Sequence, residues 1–142
     1  MSAGTHQSAW TIANFSSVPF WLAMIVAPRS RLTAKLMNAV MPVHAGLAVA
    51  YAAFLGRTIA TGDERVDFTK LESVSRAFQN PDAMLAGWIH YITFDLFVGR
   101  WIWERSLAEG HNARLALLLT WWAGPSGLGL FLARRRLPAW IP

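Results

Sequence analysis

Within the run Ala83 to Glu104, AMLAGWIHYITFDLFVGRWIWE, an imidazole, a phenol, a carboxylate and a guanidinium stand in otherwise apolar surroundings: His90, Tyr91, Asp95 and Arg100. General acid–base chemistry is built from such groups, one taking a proton, one giving it, and a hydrogen-bonding neighbour orienting either. The run is long enough to cross a bilayer, where an ionisable side chain at the helix centre costs about 2.5–3.5 kcal/mol on insertion scales. A spanning helix that carries several is therefore a candidate functional site on energetic grounds.

At about 100° per residue, His90, Thr93, Phe97, Arg100 and Glu104 share one face of this helix. Tyr91 and Asp95, at i and i+4, share the opposite one with Trp88 and Gly99. His90 and Asp95 thus lie about 140° apart. They do not easily serve the same atom, so one of them is structural or the two face different helices. The competing reading is that these groups act as helix glue, with Arg100 and Glu104 forming an i,i+4 pair near the interface.

Other residues offer similar chemistry elsewhere. His44 follows Pro42 and shares a face with Tyr51 at i+7, and Asn14 sits in the first apolar segment. Each is read either as a hydrogen-bond partner between helices or as a ligand contact. A metal or haem site would have to draw on His44, His90 and Asp95 alone, without HxxH or ExxH spacing, so no metal is expected. Gly124 and Pro125, with Gly127 and Gly129, predict a kink with close helix approach, or a groove for a flat ligand. The tryptophans at 101, 103, 121 and 122 form interfacial belts or line a pocket for an elongated apolar ligand.

The elements that must position these groups follow from composition. The 142 residues are 54% hydrophobic and 15% charged, against about 25% charged in soluble domains. Four apolar segments, about 9–27, 36–56, 83–103 and 115–133, are each close to the roughly 20 residues that span a bilayer. Backbone groups in lipid must be satisfied internally, so all four are expected to be helical. The expectation is an all-α integral membrane four-helix bundle, a single membrane domain over residues 1–142. Between the second and third segments, FTKLESVSRAF spaces Phe68, Leu71, Val74 and Phe78 as a short amphipathic helix lying on the membrane surface. The links PRSRLTAK and about Arg105 to Arg114 are read as short connections.

The net charge of +5 comes from basic residues at the ends of apolar segments, which suits lipid headgroups rather than nucleic acid. Lys and Arg divide almost evenly between the two sides, so they do not fix the orientation. The absence of cysteine excludes disulfides, thiolate metal sites and cysteine nucleophiles. No Lys or Arg precedes Arg29, so the first apolar segment is expected to be retained rather than cleaved. Four short spans enclose little volume, so a homo-oligomer or a larger membrane complex is expected.

WIHYITFDLFVGRWIW, together with Ala13-Asn14, Pro19-Phe20-Trp21, Ala50-Tyr51 and Gly124-Pro125-Ser126-Gly127-Leu128, resembles a membrane family. That family includes the plant protein required for neoxanthin synthesis and implicated in abscisic-acid deficiency. The resemblance runs from about Trp10 to Leu132. With no visible transit peptide, the chain looks like a bacterial member, placed in the inner or a photosynthetic membrane. The resemblance implies carotenoid biosynthesis: acid–base isomerisation of a xanthophyll or related carotenoid, in which an epoxide opens and a neighbouring proton is lost, with no cofactor. Asp95 and His90 would then transfer protons, Tyr91 would orient Asp95, and Arg100 would hold Glu104 or a ligand hydroxyl. Asn14, His44, Trp88, Trp101, Trp121, Gly124 and Pro125 are the candidate substrate- or pigment-binding residues. Two alternatives remain open: a non-catalytic pigment-binding subunit of a larger membrane complex such as a photosynthetic one, and a small transporter or assembly factor.

Overall fold

The computed structural model describes residues 1–62 and 66–136; residues 63–65 of the polar loop, the side chain of Arg136 and residues 137–142 lie outside the description. The described residues are all-helical: α1 (Ala3–Val26), α2 (Arg31–Asn38), α3 (Met41–Thr61), α4 (Leu71–Ala77), α5 (Pro81–Glu109), α6 (Arg114–Ala123) and α7 (Pro125–Arg136). Two stretches among them, Ala3–Val26 and Arg31–Thr61, are long and apolar enough to cross a membrane. Helix α5 has the length, but His90, Asp95, Arg100, Glu104 and Arg105 interrupt its apolar character.

The packing divides the chain into two units. The first holds residues 1–16 and 42–93, so it contains the start of α1, nearly all of α3, the whole of α4 and the first half of α5. Its core is Ala13, Leu47, Phe54, Leu85, Ala86 and Ile89, with Trp10, Ala50 and Tyr51 packed against it. Helix α5 begins where Asn80 caps it: the Asn80 side-chain oxygen accepts the backbone N–H of Asp82 at 2.8 Å, and Pro81 fills the first helical position, where its missing N–H costs nothing. The short helix expected between the second and third apolar segments is α4. Leu71 at its start and Phe68 just before it are each 84% exposed, while the Phe78 ring lies against Gly87 of α5.

The second unit holds residues 17–41 and 94 onward. Here the PRSRLTAK link proves largely helical. The Ser30 side chain accepts the Leu32 N–H at 3.1 Å and so caps α2, an eight-residue amphipathic helix that buries Thr33 and Met37. The second apolar segment accordingly starts its own helix at Met41, later than the hydropathy suggested. Side chains satisfy the carbonyls left open at the end of α1: Thr33 Oγ1 donates to Ala27 O at 2.7 Å, Arg114 to Val26 O at 3.2 Å and Trp103 Nε1 to Pro28 O at 2.8 Å.

The connection read as Arg105 to Arg114 is also mostly helix. Helix α5 runs on to Glu109 and stops where Gly110 adopts φ 71°, with the His111 N–H returning to Ser106 O at 2.9 Å. This is the helix-ending turn that favours glycine.

The fourth apolar segment departs most from expectation. Residues 115–133 are not one span with a kink but two helices of 10 and 12 residues, meeting at Gly124 with φ 45° and ψ −105°. Pro125 has no N–H to continue the ladder, and the Gly124 conformation is closed to residues with a Cβ. Helix α7 then turns back so closely that a Cβ on Gly127 would overlap the Thr120 backbone N and the Ala116 carbonyl.

One consequence concerns the glycines of this unit. A Cβ on Gly99 would collide with the six-membered ring of Trp21, whereas Gly129 has open space around it. Gly99→Ala should cost about 1–3 kcal/mol by displacing that indole. Gly129→Ala, inside α7, should be neutral or stabilise by up to about 1 kcal/mol. Thermal unfolding of the two variants in one detergent checks the contrast, and equal effects at both positions would refute it.

Candidate functional site

On α5, Asp95 and Gly99 are one turn apart and share a face. In the second unit Asp95 points at the helix break: a Cβ on Gly124 would stand 3.1 Å from Asp95 Oδ1 and 3.4 Å from Oδ2. The carboxylate therefore occupies the space that a side chain at position 124 would fill. One turn on, Gly99 gives way to the Trp21 indole, which is 1% exposed and stacks on Trp121 with centroids 6.1 Å apart and planes inclined by 10°. A half-buried acid thus lies beside a broken helix, with an aromatic stack on the next turn. That arrangement can transfer a proton beside an apolar surface.

The remaining second-unit candidates have partners of their own. Trp101 meets Phe131 edge-on, with centroids 5.7 Å apart and planes at 84°. Arg100 Nε donates to Glu104 Oε1 at 2.8 Å, the i,i+4 pair expected from the spacing, with both side chains partly exposed. The tryptophan pairs do not act as uniform belts: Trp103 is buried and bonded to Pro28 O, while Trp122 is exposed.

The first unit brings together a different set. Asn14 Oδ1 accepts the Trp88 indole N–H at 3.1 Å, Asn14 Nδ2 donates to Trp10 O at 2.7 Å, and the Trp10 and Trp88 rings stack with centroids 4.7 Å apart. Two residues singled out in the sequence are therefore direct partners, and Asn14 acts as the bracket that sets an indole pair. The His90 ring lies 5.9 Å from Tyr51 and 6.4 Å from Tyr91 by centroids, and Tyr91 is 59% exposed. His44 is half-buried on α3. His90 and Tyr91 belong to this unit, and Asp95 belongs to the other. Tyr91 makes its ring contact with His90, not the orienting contact expected with Asp95.

Sequence reasoning missed one charged cluster, also in the first unit. Asp82, 6% exposed, accepts from His6 Nε2 at 2.9 Å and from Arg57 Nε at 3.3 Å. Burial alone would raise the Asp82 carboxyl, but the His6 hydrogen bond and the Arg57 charge outweigh it and hold the group below the ordinary carboxylate value. Asp82 stands next to the Asn80-Pro81 helix start. Its partners are 76 and 25 positions away, beyond the reach of any local pattern.

These features define a helical protein with membrane-type apolar segments and a carboxylate set against a helix break. The chain belongs to the ABA DEFICIENT 4-like family, whose model matches residues 8–131. It is similar to Protein ABA DEFICIENT 4, chloroplastic, of Arabidopsis thaliana: 24% identical over 120 residues, covering 78% of this chain and 54% of the relative. The chain thus spans about half the length of that curated relative. No solved structure matches it. The family read from the HYITFDLFVGRW motif is the one found, and the matched residues include Asn14, His44, His90, Asp95 and Gly124.

The Asn14–Trp88 pair supports a direct test. Asn14→Leu removes the acceptor of a part-buried indole N–H and should cost about 0.5–1.5 kcal/mol, the net worth of a typical hydrogen bond. In the double variant Asn14→Leu, Trp88→Phe the combined loss should fall short of the sum, because the orphaned group is gone. Thermal midpoints for the four proteins of the cycle give the coupling, and strict additivity would show that the bond carries no net stability.

Proposed function

We propose that this chain is a multi-pass integral membrane protein that modifies a carotenoid by proton transfer, with Asp95 as the acid–base group. The observation that carries the reading is the half-buried Asp95 carboxylate set against Gly124 at the α6–α7 break, with the Trp21–Trp121 stack one turn away. Family membership supports the substrate class. The four apolar segments would lie in the bilayer as a helical bundle, the fourth entering as the bent pair α6–α7. Helix α4, with Phe68 and Leu71 outward, would rest on the membrane surface.

The reaction type that suits these residues is a net isomerisation of an epoxide-bearing xanthophyll. A base removes the proton from a carbon next to the epoxide, the C–O bond of the ring breaks, and the oxygen takes up a proton to become a hydroxyl. One proton leaves and one arrives, so no oxidant or reductant enters the balance. Asp95 supplies one of the two groups. His90 lies in the other unit with Tyr51 and Tyr91, and this reading gives it no part in the step at Asp95. Asn14 with Trp88, and Trp101 with Phe131, hold the aromatic surfaces in place.

A second reading, a pigment-binding subunit of a larger assembly or of a homo-oligomer, is favoured by the two stacked indole pairs, which need no chemistry to hold a flat apolar ligand. Expression in a carotenoid-producing bacterial host, as wild type and as Asp95→Asn, separates the two by chromatography and mass spectrometry. The enzyme reading expects a new isomer of unchanged mass that the variant lowers at least about a hundredfold, as loss of a proton-transfer group does. An unchanged profile with pigment retained on both purified proteins would favour the binding subunit. Full product formation by the variant would remove Asp95 from the mechanism.

A further inference from the structure

Helices α6 and α7, both in the second unit, have 10 and 12 residues, so each is about 15–18 Å long at 1.5 Å per residue. Neither reaches across the roughly 30 Å of hydrocarbon in a bilayer, although the two laid end to end would. They are not laid end to end. Gly127 of α7 lies on Thr120 and Ala116 of α6, so α7 runs back along the helix it follows. Far from the break the return is complete. Arg135, at the end of α7, holds Glu109 through both carboxylate oxygens: Nε donates to Oε2 at 2.7 Å and Nη2 to Oε1 at 2.5 Å. Glu109 is the last residue of α5, and α6 begins at Arg114. The turn between them folds back on Ser106, so on one straight rod Arg135, about 30 Å from Arg114, would be out of reach of Glu109. Arg114 in turn donates to Val26 O at the end of α1. The finish of α1, the finish of α5, the start of α6 and the finish of α7 are thus gathered at one end of the unit, and the Gly124 break is the tip that points away from it.

We propose that α6–α7 is a re-entrant hairpin: it enters the membrane and leaves it on the same face as the end of α5, with its tip at the middle of the bilayer. This rests on the placement of α5 across the membrane in the reading above, and not on the carotenoid chemistry. Asp95, against which the tip is set, stands midway between Pro81 and Glu109, so a tip that meets Asp95 stops at half the length of α5. Non-helical backbone at that depth is tolerated only where protein shields it and its polar groups are satisfied. Gly124 meets both conditions: it is buried, its N–H donates to Thr120 O at 2.9 Å, and its carbonyl accepts the Gly127 N–H at 3.1 Å. Pro125 brings no N–H to be satisfied. The two arms pack this closely because Gly127 has no side chain to hold them apart. The hairpin also sets the depth of the proposed site: Asp95 is held at mid-bilayer, a depth that fits a ligand dissolved in lipid rather than in water.

Because the chain has no cysteine, single cysteines report sidedness without background. The positions are exposed ones: Gln79→Cys just before α5, Ala108→Cys in its last turn and Arg134→Cys near the end of α7. Each variant of the full chain is expressed in a bacterial inner membrane and treated with a membrane-impermeant maleimide, on spheroplasts and again after lysis. Ala108→Cys and Arg134→Cys should respond alike, both labelled before lysis or both only after it, and Gln79→Cys should give the opposite response. Opposite responses from Ala108→Cys and Arg134→Cys would overturn the hairpin while leaving α5 across the membrane. Gln79→Cys and Ala108→Cys on one side would overturn the hairpin together with the placement of α5. Arg105→Cys and Ala133→Cys, also exposed, repeat the comparison where a first variant fails to reach the membrane.

Discussion

The second unit depends on one constraint: the backbone at Gly124 requires glycine, and the Asp95 carboxylate stands close beside it. Its φ of 45° with ψ of −105° lies outside the space open to residues with a Cβ, and the place where a Cβ would stand is 3.1 Å from Asp95 Oδ1. Pro125 then prevents the helix from continuing, so the chain turns back, and Gly127 settles onto the α6 backbone at Thr120 and Ala116. Each step allows the next. Without the break, α6 and α7 would form one rod, and Asp95 would face an ordinary helix surface.

The same unit uses small residues to admit large ones. Trp21 is nearly fully buried because Gly99 offers no side chain beneath its ring and Trp121 covers the other side. Burying a tryptophan removes a large apolar area from water or reorders it against protein, and a stacked partner adds about 0.5–1.5 kcal/mol beyond area. Glycine in a helix costs about 1 kcal/mol relative to alanine. The exchange is favourable where the space it opens takes an indole, and this explains Gly99 in the middle of α5 better than flexibility does. Gly129, with open space around it, has no such justification from packing.

How far the sequence disclosed this structure depended on the range of the interactions involved. Patterns confined to one helix were legible: the Arg100–Glu104 pair at i,i+4, the opposed faces of His90 and Asp95, the short amphipathic helix at 71–77 and the disruption at Gly124-Pro125. Boundaries set by side-chain caps were misjudged, because hydropathy does not register Ser30 closing the start of α2 or Gly110 closing the end of α5. The depth of the α6–α7 break was underestimated for a related reason. A Gly-Pro step predicts that a helix bends, while how far it turns is decided by the fit of Gly127 on Thr120, which no one-dimensional pattern contains. The Asn14–Trp88 bond and the His6–Asp82–Arg57 cluster join residues 74, 76 and 25 positions apart. Single residues of these sets could be marked as costly in an apolar setting, but their partners could not be named.

The distribution of polar groups along α5 bears on how such a protein would divide its labour. One continuous helix carries Asp82, His90 and Asp95, and in the described contacts each has neighbours of a different kind: His6 and Arg57 at Asp82, tyrosine rings at His90, a glycine break at Asp95. A helix repeats every 3.6 residues. Spacings of eight and five residues therefore rotate the three groups to different directions. Asp82 is fixed by His6 and Arg57 and is the least available for chemistry. His90 has aromatic neighbours that can hold a ring in place without taking its proton. Asp95 meets neither a cation nor an aromatic ring in the described contacts but the backbone of the Gly124 break, so of the three it is the carboxylate with no cation holding it.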